Sequence, residues 1–140
     1  MPRPQGRLVG CEKPPQDKRD LGRLVARTPN TTGHERDAYE ALRALRPPKD
    51  IKRGLILMDP PFEEAGEFER LTQALQTIRA RFATAVVAIW YPIKHRTQVR
   101  AFQTEIADSG VRDVLAAELL MRPPHDPDQL NGSGLLVVRP

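Results

Sequence analysis

Cysteine is nearly absent: Cys11 is the only one in 140 residues. No intrachain disulfide can form, which fits a reducing compartment. No apolar run approaches membrane length. The opening stretch, Met1-Pro2-Arg3-Pro4-Gln5-Gly6, lacks the apolar core of a signal peptide. The expected location is therefore the cytoplasm, with no membrane partner. Three scattered histidines, His34, His95 and His125, show no ligand spacing, so no metal is expected. Internal repeats are lacking, as is any linker dividing the chain, so residues 1–140 read as a single domain. A G-x-G turn after a strand is missing too; Gly6 and Gly10 stand in the wrong context.

What is present belongs to an ordinary globular class, 39% hydrophobic and 29% charged. The length suffices for one domain with a real core. A net charge of +4 permits a nucleic-acid partner without requiring one. Proline is plentiful at 14 residues. Its pairs fall at junctions: Pro14-Pro15, Pro47-Pro48, Pro60-Pro61 and Pro123-Pro124.

Short apolar runs alternate with amphipathic segments, which argues for an α/β fold built from βαβ units. Strands are expected at Arg7–Cys11, Thr31–His34, Gly54–Met58 and Thr84–Trp90. Helices are expected at Gln16–Arg27, at Asp37–Leu45 with Ala38, Ala41, Leu42 and Leu45 inward, and at Glu67–Phe82. The last keeps Phe68, Leu71, Leu75, Ile78 and Phe82 on one face. A further helix, His95–Ser109, turns Val99, Phe102 and Ile106 inward and closes at Gly110. Val111–Leu120 and Leu135–Val138 read as an antiparallel pair at one sheet edge. The polar segment Met121–Ser133 joins them as a loop.

The most informative stretch is Gly54-Leu55-Ile56-Leu57-Met58-Asp59-Pro60-Pro61-Phe62. Its apolar part reads as a strand buried on both faces. Pro60 and Pro61 lack N–H donors and end it. Asp59 then sits at the carboxyl edge of the sheet, where ligands bind in open α/β folds. An acid, two prolines and an aromatic at such an edge suit methylation of an exocyclic amine on a planar ring. Such an amine is a poor nucleophile because its lone pair is delocalised. Acceptors on its N–H groups, here Asp59 and the Pro60 carbonyl, free that lone pair. The prolines hold the carbonyl in place beforehand, and Phe62 can stack on the base. The competing structural reading is a strand stopped by prolines, with Asp59 as a helix cap.

Other candidates carry similar pairs of readings. Glu12 ends a strand, where an acid often binds ribose hydroxyls; otherwise it is a surface acid. Asp37 opens a helix and is a natural N-cap; its functional reading places it near a cofactor adenine. Trp90-Tyr91-Pro92-Ile93-Lys94 follows a strand, where Trp90 and Tyr91 either wall a base pocket or pack over sheet ends. Lys94, His95, Arg96 and Arg100 either hold phosphates or form a solvated helix start. Asn131-Gly132-Ser133-Gly134 reads as a flexible loop or hairpin turn.

Taken together these residues resemble a known family, the bacterial 23S ribosomal RNA adenine-N6 methyltransferases of the RlmJ type. The matching pieces are Cys11-Glu12, His34 to Leu42, Arg53 to Glu63, Arg81 to Thr84, Trp90 to Lys94 and Asn131 to Val138, in the family's order and spacing. The resemblance implies an S-adenosylmethionine-dependent, class I, Rossmann-like sheet and a 23S ribosomal RNA partner. It implies Glu12 at the cofactor ribose, Asp37 and Ala38 at its adenine, and Asp59 at both cofactor and catalysis. Pro60 and Phe62 join Asp59 in catalysis, while Pro61, Trp90, Tyr91 and Lys94 fall on the substrate side. One departure is Lys13-Pro14, where the family has histidine-proline.

A larger departure is the family's first strand and its glycine-rich turn, for which this chain has no counterpart. It resembles the carboxyl-terminal half of such an enzyme. In the family's sheet that first strand lies between the strands of Arg7–Cys11 and Gly54–Met58. Without it they must pair directly, leave a gap, or accept a strand from another chain, so self-association through the open sheet is expected. Two alternatives stand beside the main reading: a DNA adenine-N6 or other amino-methyltransferase, and a non-catalytic remnant that binds RNA or protein.

Overall fold

The computed structural model describes residues 6–12, 22–23, 27–44, 47, 51–63 and 65–139. The chain divides into two compact units, Met1–Leu45 and Arg46–Pro140, and each is described by itself.

In the first unit β1 (Leu8–Glu12) and β2 (Thr31–Glu35) form a two-stranded parallel sheet. Its register runs from Leu8 opposite Thr31 to Glu12 opposite Glu35. Helix α1 (Ala38–Ala44) follows β2. Asp37 caps α1: its Oδ1 accepts from the backbone N–H of Tyr39 at 2.8 Å and of Glu40 at 3.3 Å, as an N-terminal acid should. The inward face expected for this helix is not formed, since none of its residues is buried. Two turns present too few apolar side chains to make a core, and Leu45 lies outside the described residues. So does almost all of the helix expected at Gln16–Arg27.

The second unit contains β3 (Leu55–Met58), α2 (Glu67–Arg81), β4 (Val86–Ile93), α3 (Arg96–Asp108), β5 (Val114–Leu120) and β6 (Gly132–Val138). Its sheet has the order β3-β4-β6-β5. β3 and β4 are parallel, while β6 runs antiparallel to both β4 and β5. The antiparallel pair expected at the carboxyl end is present, with β5 outermost. Gly110, at φ 76°, closes α3. Among the described residues no helix is long and apolar enough to cross a membrane.

The core forms where α2 and α3 meet one face of this sheet. Side chains alternate across a strand, so Val87, Ile89, Tyr91 and Ile93 of β4 point the same way, and each is at most 1% exposed. Leu71, Leu75 and Ile78 of α2 and Val99, Phe102 and Ile106 of α3 close over them. The helical spacing read from the sequence thus holds, although Phe68 and Phe82 are only half-buried.

Three expectations change. β3 is not buried on both faces: Leu55 is 71% and Leu57 67% exposed, whereas Met58 is 8%. It is an outer strand of its sheet, covered by helices on one side only. β4 continues through Pro92 to Ile93 rather than ending at Trp90. Its pairing with β3 ends at Met58 opposite Ile89, so Pro92 has no ladder partner on the β3 side and a missing N–H is tolerated there. Finally, Gly132, Ser133 and Gly134 belong to β6, not to a flexible loop.

Gly134 stands opposite Tyr91 in the β4–β6 ladder. A Cβ there would overlap the Tyr91 ring. Gly134→Ala should therefore destabilise the protein by about 1–3 kcal/mol, the usual cost of overpacking. A thermal melt shifted by less than a degree would contradict this contact.

Candidate functional site

The edge of the second unit's sheet at the carboxyl ends of β3 and β4 gathers the residues with chemical potential. β3 stops at Met58. Asp59 follows with an exposed side chain, Pro60 is half-buried and Pro61 exposed. Phe62 then adopts φ 55°, a left-handed conformation that costs a bulky residue about 1–2 kcal/mol. The turn brings its ring back onto Phe68, at 5.2 Å between centroids, and edge-on to Trp90 at 6.0 Å. These contacts offset part of the backbone cost. The same ring system continues inward, with Phe68 5.0 Å from Phe102 and Phe102 5.7 Å from Tyr91. The acid-proline-proline turn is thereby anchored to the core by its own aromatic.

Trp90 and Tyr91 are neighbours in a strand and so point to opposite faces. Trp90 is half-exposed and reaches Phe62, whereas Tyr91 is fully buried under the helices. Of the two roles open to Tyr91, packing is the one it fills here. Its hydroxyl donates to Glu118 Oε1 at 3.1 Å. Gln103 Nε2 donates to the same carboxylate oxygen at 2.9 Å and to the Tyr91 oxygen at 3.3 Å. Arg96 Nη1 donates to Glu118 Oε2 at 2.6 Å. This network ties β4, α3 and β5 together. The sequence reading missed it, yet a signal existed: Glu118 is the only charged residue in Val-Leu-Ala-Ala-Glu-Leu-Leu.

Asn131 is also more than a turn residue. It is 0% exposed. Its Nδ2 donates to the carbonyls of Lys94 and Asp126, each at 2.7 Å. Its backbone N–H donates to Ile93 at 2.9 Å, and its carbonyl accepts from Met121 at 2.9 Å and Arg122 at 3.3 Å. Oδ1 is buried with no partner among the described residues. Asn131 therefore pins the loop after β5 to the end of β4, on the same edge as Asp59. Lys94 is exposed there, and His95 caps α3 by accepting from Thr97 N–H at 3.2 Å. A shallow depression of about 260 Å³ is lined by Trp90, Ala117, Glu118, Leu119, Ser133, Gly134 and Leu135. Neither Asp59 nor Phe62 contributes to it.

The other sequence-derived candidates lie in the first unit. Glu12 is the last residue of β1 and Asp37 follows β2, so both stand at carboxyl ends of parallel strands. Ala38 is the first residue of α1.

A model of the family described as ribosomal RNA large subunit methyltransferase D, RlmJ, matches residues 1–140. The chain belongs to this family. It is 33% identical over 138 residues to the ribosomal RNA large subunit methyltransferase J of Haemophilus influenzae, covering 99% of this chain and 49% of that protein. With the Escherichia coli protein of the same name it shares 34% identity over 104 residues, 74% of this chain and 37% of that protein. The chain thus spans about half or less of the length of these curated relatives. Among solved structures it resembles a Legionella pneumophila protein at 27% identity and a TM-score of 0.83, covering 99% of this chain and 51% of the other. Fibrillarin from Aeropyrum pernix, solved with S-adenosyl-L-methionine natively bound, shares the fold at 17% identity and a TM-score of 0.61, covering 97% of this chain and 57% of that one.

Burial first, and the adjoining Glu118 charge second, push the Tyr91 hydroxyl up to about 12 from its ordinary value of 10.0. The neutral phenol is the form the fold favours. Its stabilising contribution is complete below pH 10 and is lost as pH rises towards 12. Tyr39 is the only other tyrosine, so absorbance titration of Tyr39→Phe reports Tyr91 alone. Little phenolate should form by pH 10.5; a midpoint near 10 would rule out this environment.

Proposed function

We propose that the chain supplies the substrate-orienting part, and part of the cofactor site, of an enzyme that methylates the exocyclic N6 amine of an adenine in 23S ribosomal RNA. What carries this reading is the Asp59-Pro60-Pro61-Phe62 turn at the carboxyl end of β3, on a chain of this family. Asp59 offers an exposed carboxylate and Pro60 a carbonyl held by two consecutive rings. Together they accept from the amine N–H groups and turn its lone pair outward. Phe62 and Trp90 offer rings on which a base removed from its stack can rest. The amine must shed one proton in the reaction, and the Asp59 carboxylate opens to solvent to take or relay it. Lys94 stands beside this edge as a phosphate contact, and Pro61 beside it on the substrate side.

The methyl donor is S-adenosylmethionine, which when bound supplies an electrophilic methyl group. The residue chemistry suits its nucleoside: acids at the carboxyl ends of parallel strands are placed as in other nucleotide-binding sheets. Glu12 suits the ribose hydroxyls, and Asp37 and Ala38 the adenine. No glycine-rich turn in this sequence takes the methionine end.

In a version of the protein extended to its relatives' length, Asp59→Ala should abolish transfer of tritiated methyl to 23S ribosomal RNA while leaving the melt nearly unchanged. A mutant rate within tenfold of the parent would remove Asp59 from catalysis. The 140-residue chain itself should bind S-adenosylmethionine weakly or not at all, because only the nucleoside half of the ligand finds partners. Low-micromolar affinity by calorimetry would overturn that division of the site.

A further inference from the structure

The two edges of the second unit's sheet differ in charge. The carboxyl edge, with Asp59, also exposes the acids Glu63, Asp126 and Asp128. Two of its arginines are engaged by carboxylates, Arg96 by Glu118 and Arg70 by Glu67. The opposite edge, where β3, β4 and β5 begin and β6 ends, exposes Lys52, Arg53, Arg81, Arg112 and Arg139. None of these five forms an ion pair with a described residue. The helix dipole accounts for Arg81, in the last turn of α2. It does not account for the others: two precede β3, one precedes β5 and one follows β6. Among the described residues the acids of this edge are Asp113 and, at the end of α3, Asp108. Hydrogen bonds draw the connecting segments together. Thr84 Oγ1 donates to the Lys52 carbonyl at 2.6 Å. Arg139 N–H donates to the Asp113 carbonyl at 2.8 Å, and its Nη1 to the Ala83 carbonyl at 3.0 Å. The cations thus stand on backbone that is already fixed, which lowers the cost of ordering them around a ligand.

Affinity for a nucleic acid comes largely from cations on its phosphates. The carboxyl edge, with its acids, offers few, although the target base must reach Asp59 there. The amino edge offers a row of them. Four are arginines, whose planar fork can grip a phosphate with two parallel bonds. A covering protein layer is a poor occupant, because it would bury cations that have no carboxylate beside them. β4 spans eight residues, so the two edges lie roughly 25 Å apart. The nucleotides flanking the target stay at the carboxyl edge, and phosphates at the amino edge belong to another part of the RNA. We propose that the amino edge binds the phosphate backbone of a second RNA segment, distant from the target nucleotide. The substrate is then a folded RNA that the protein holds at two places. This rests on the ribosomal RNA reading above, not on which amine is methylated.

Filter binding of labelled 23S ribosomal RNA to the full 140-residue chain measures the affinity across a salt series. Arg53→Gln combined with Arg112→Gln removes a cation beside β3 and another beside β5. This pair should weaken binding about tenfold at about 0.1 M salt, and lower the slope of log affinity against log salt by about 1.5. Arg100→Gln combined with Arg122→Gln removes the same charge from exposed positions elsewhere. That pair should change the affinity by less than about twofold. All four side chains are exposed, so both melts should match the parent's. Equal weakening by the two pairs would reveal general charge rather than a site, and would overturn the proposal. So would normal binding by the first pair, which leaves the methyltransferase reading intact. Failure of the parent chain itself to bind the RNA would sink the proposal and the ribosomal RNA reading together.

Discussion

The second unit depends on one close contact, the ring of Tyr91 lying on the bare backbone of Gly134. With no side chain on Gly134, the Tyr91 ring can occupy the space beside β6, and the pairing of the two strands is fixed at that point. From there the hydroxyl reaches Glu118 and Gln103, which brings in β5 and α3. The ring also touches Phe102 and Phe68, so α2 and α3 close over the same spot. Sheet order, helix placement and the buried polar network all converge on a single tyrosine.

The site at the sheet edge draws on this core rather than standing apart from it. Phe62 adopts a backbone conformation that a bulky residue avoids, and its packing against Phe68 and Trp90 holds it there. Strain of this kind persists only where the surroundings over-determine it, and such places often serve function. Asp59 and Pro60 sit between the end of a hydrogen-bonded strand and this anchored ring. Their geometry is therefore fixed from both sides.

Much of this was legible in the sequence. Asp59 at a strand end followed from two prolines that cannot continue a ladder, and α2 and α3 followed from regular helical spacing of apolar residues. The acid Asp37 has the sequence context of a cap or a ligand, and it does cap α1. What escaped the reading was non-local. Apolar Leu55 and Leu57 look the same in sequence whether a layer covers them or not. Pro92 looks like a strand terminator unless one knows that β3 has already ended beside it. Gly132 and Gly134 resemble a loop until their cross-strand neighbours, the β5 backbone at Leu119 and the Tyr91 ring, are in place. Glu118 stood out in its strand, but its partners lie on β4 and α3, far away in the chain.

The Asn131 clamp joins three stretches of chain: the exit of β4, the exit of β5 and the loop between β5 and β6. A loop tied only at its ends would open on its own, exchanging its amides with little cost. Here the loop cannot lift at Asp126 without breaking a bond from the same amide group that holds the backbone at Lys94. The strand end and the loop therefore form one cooperative opening unit. Disturbance at the hairpin is felt at the edge where Asp59 waits.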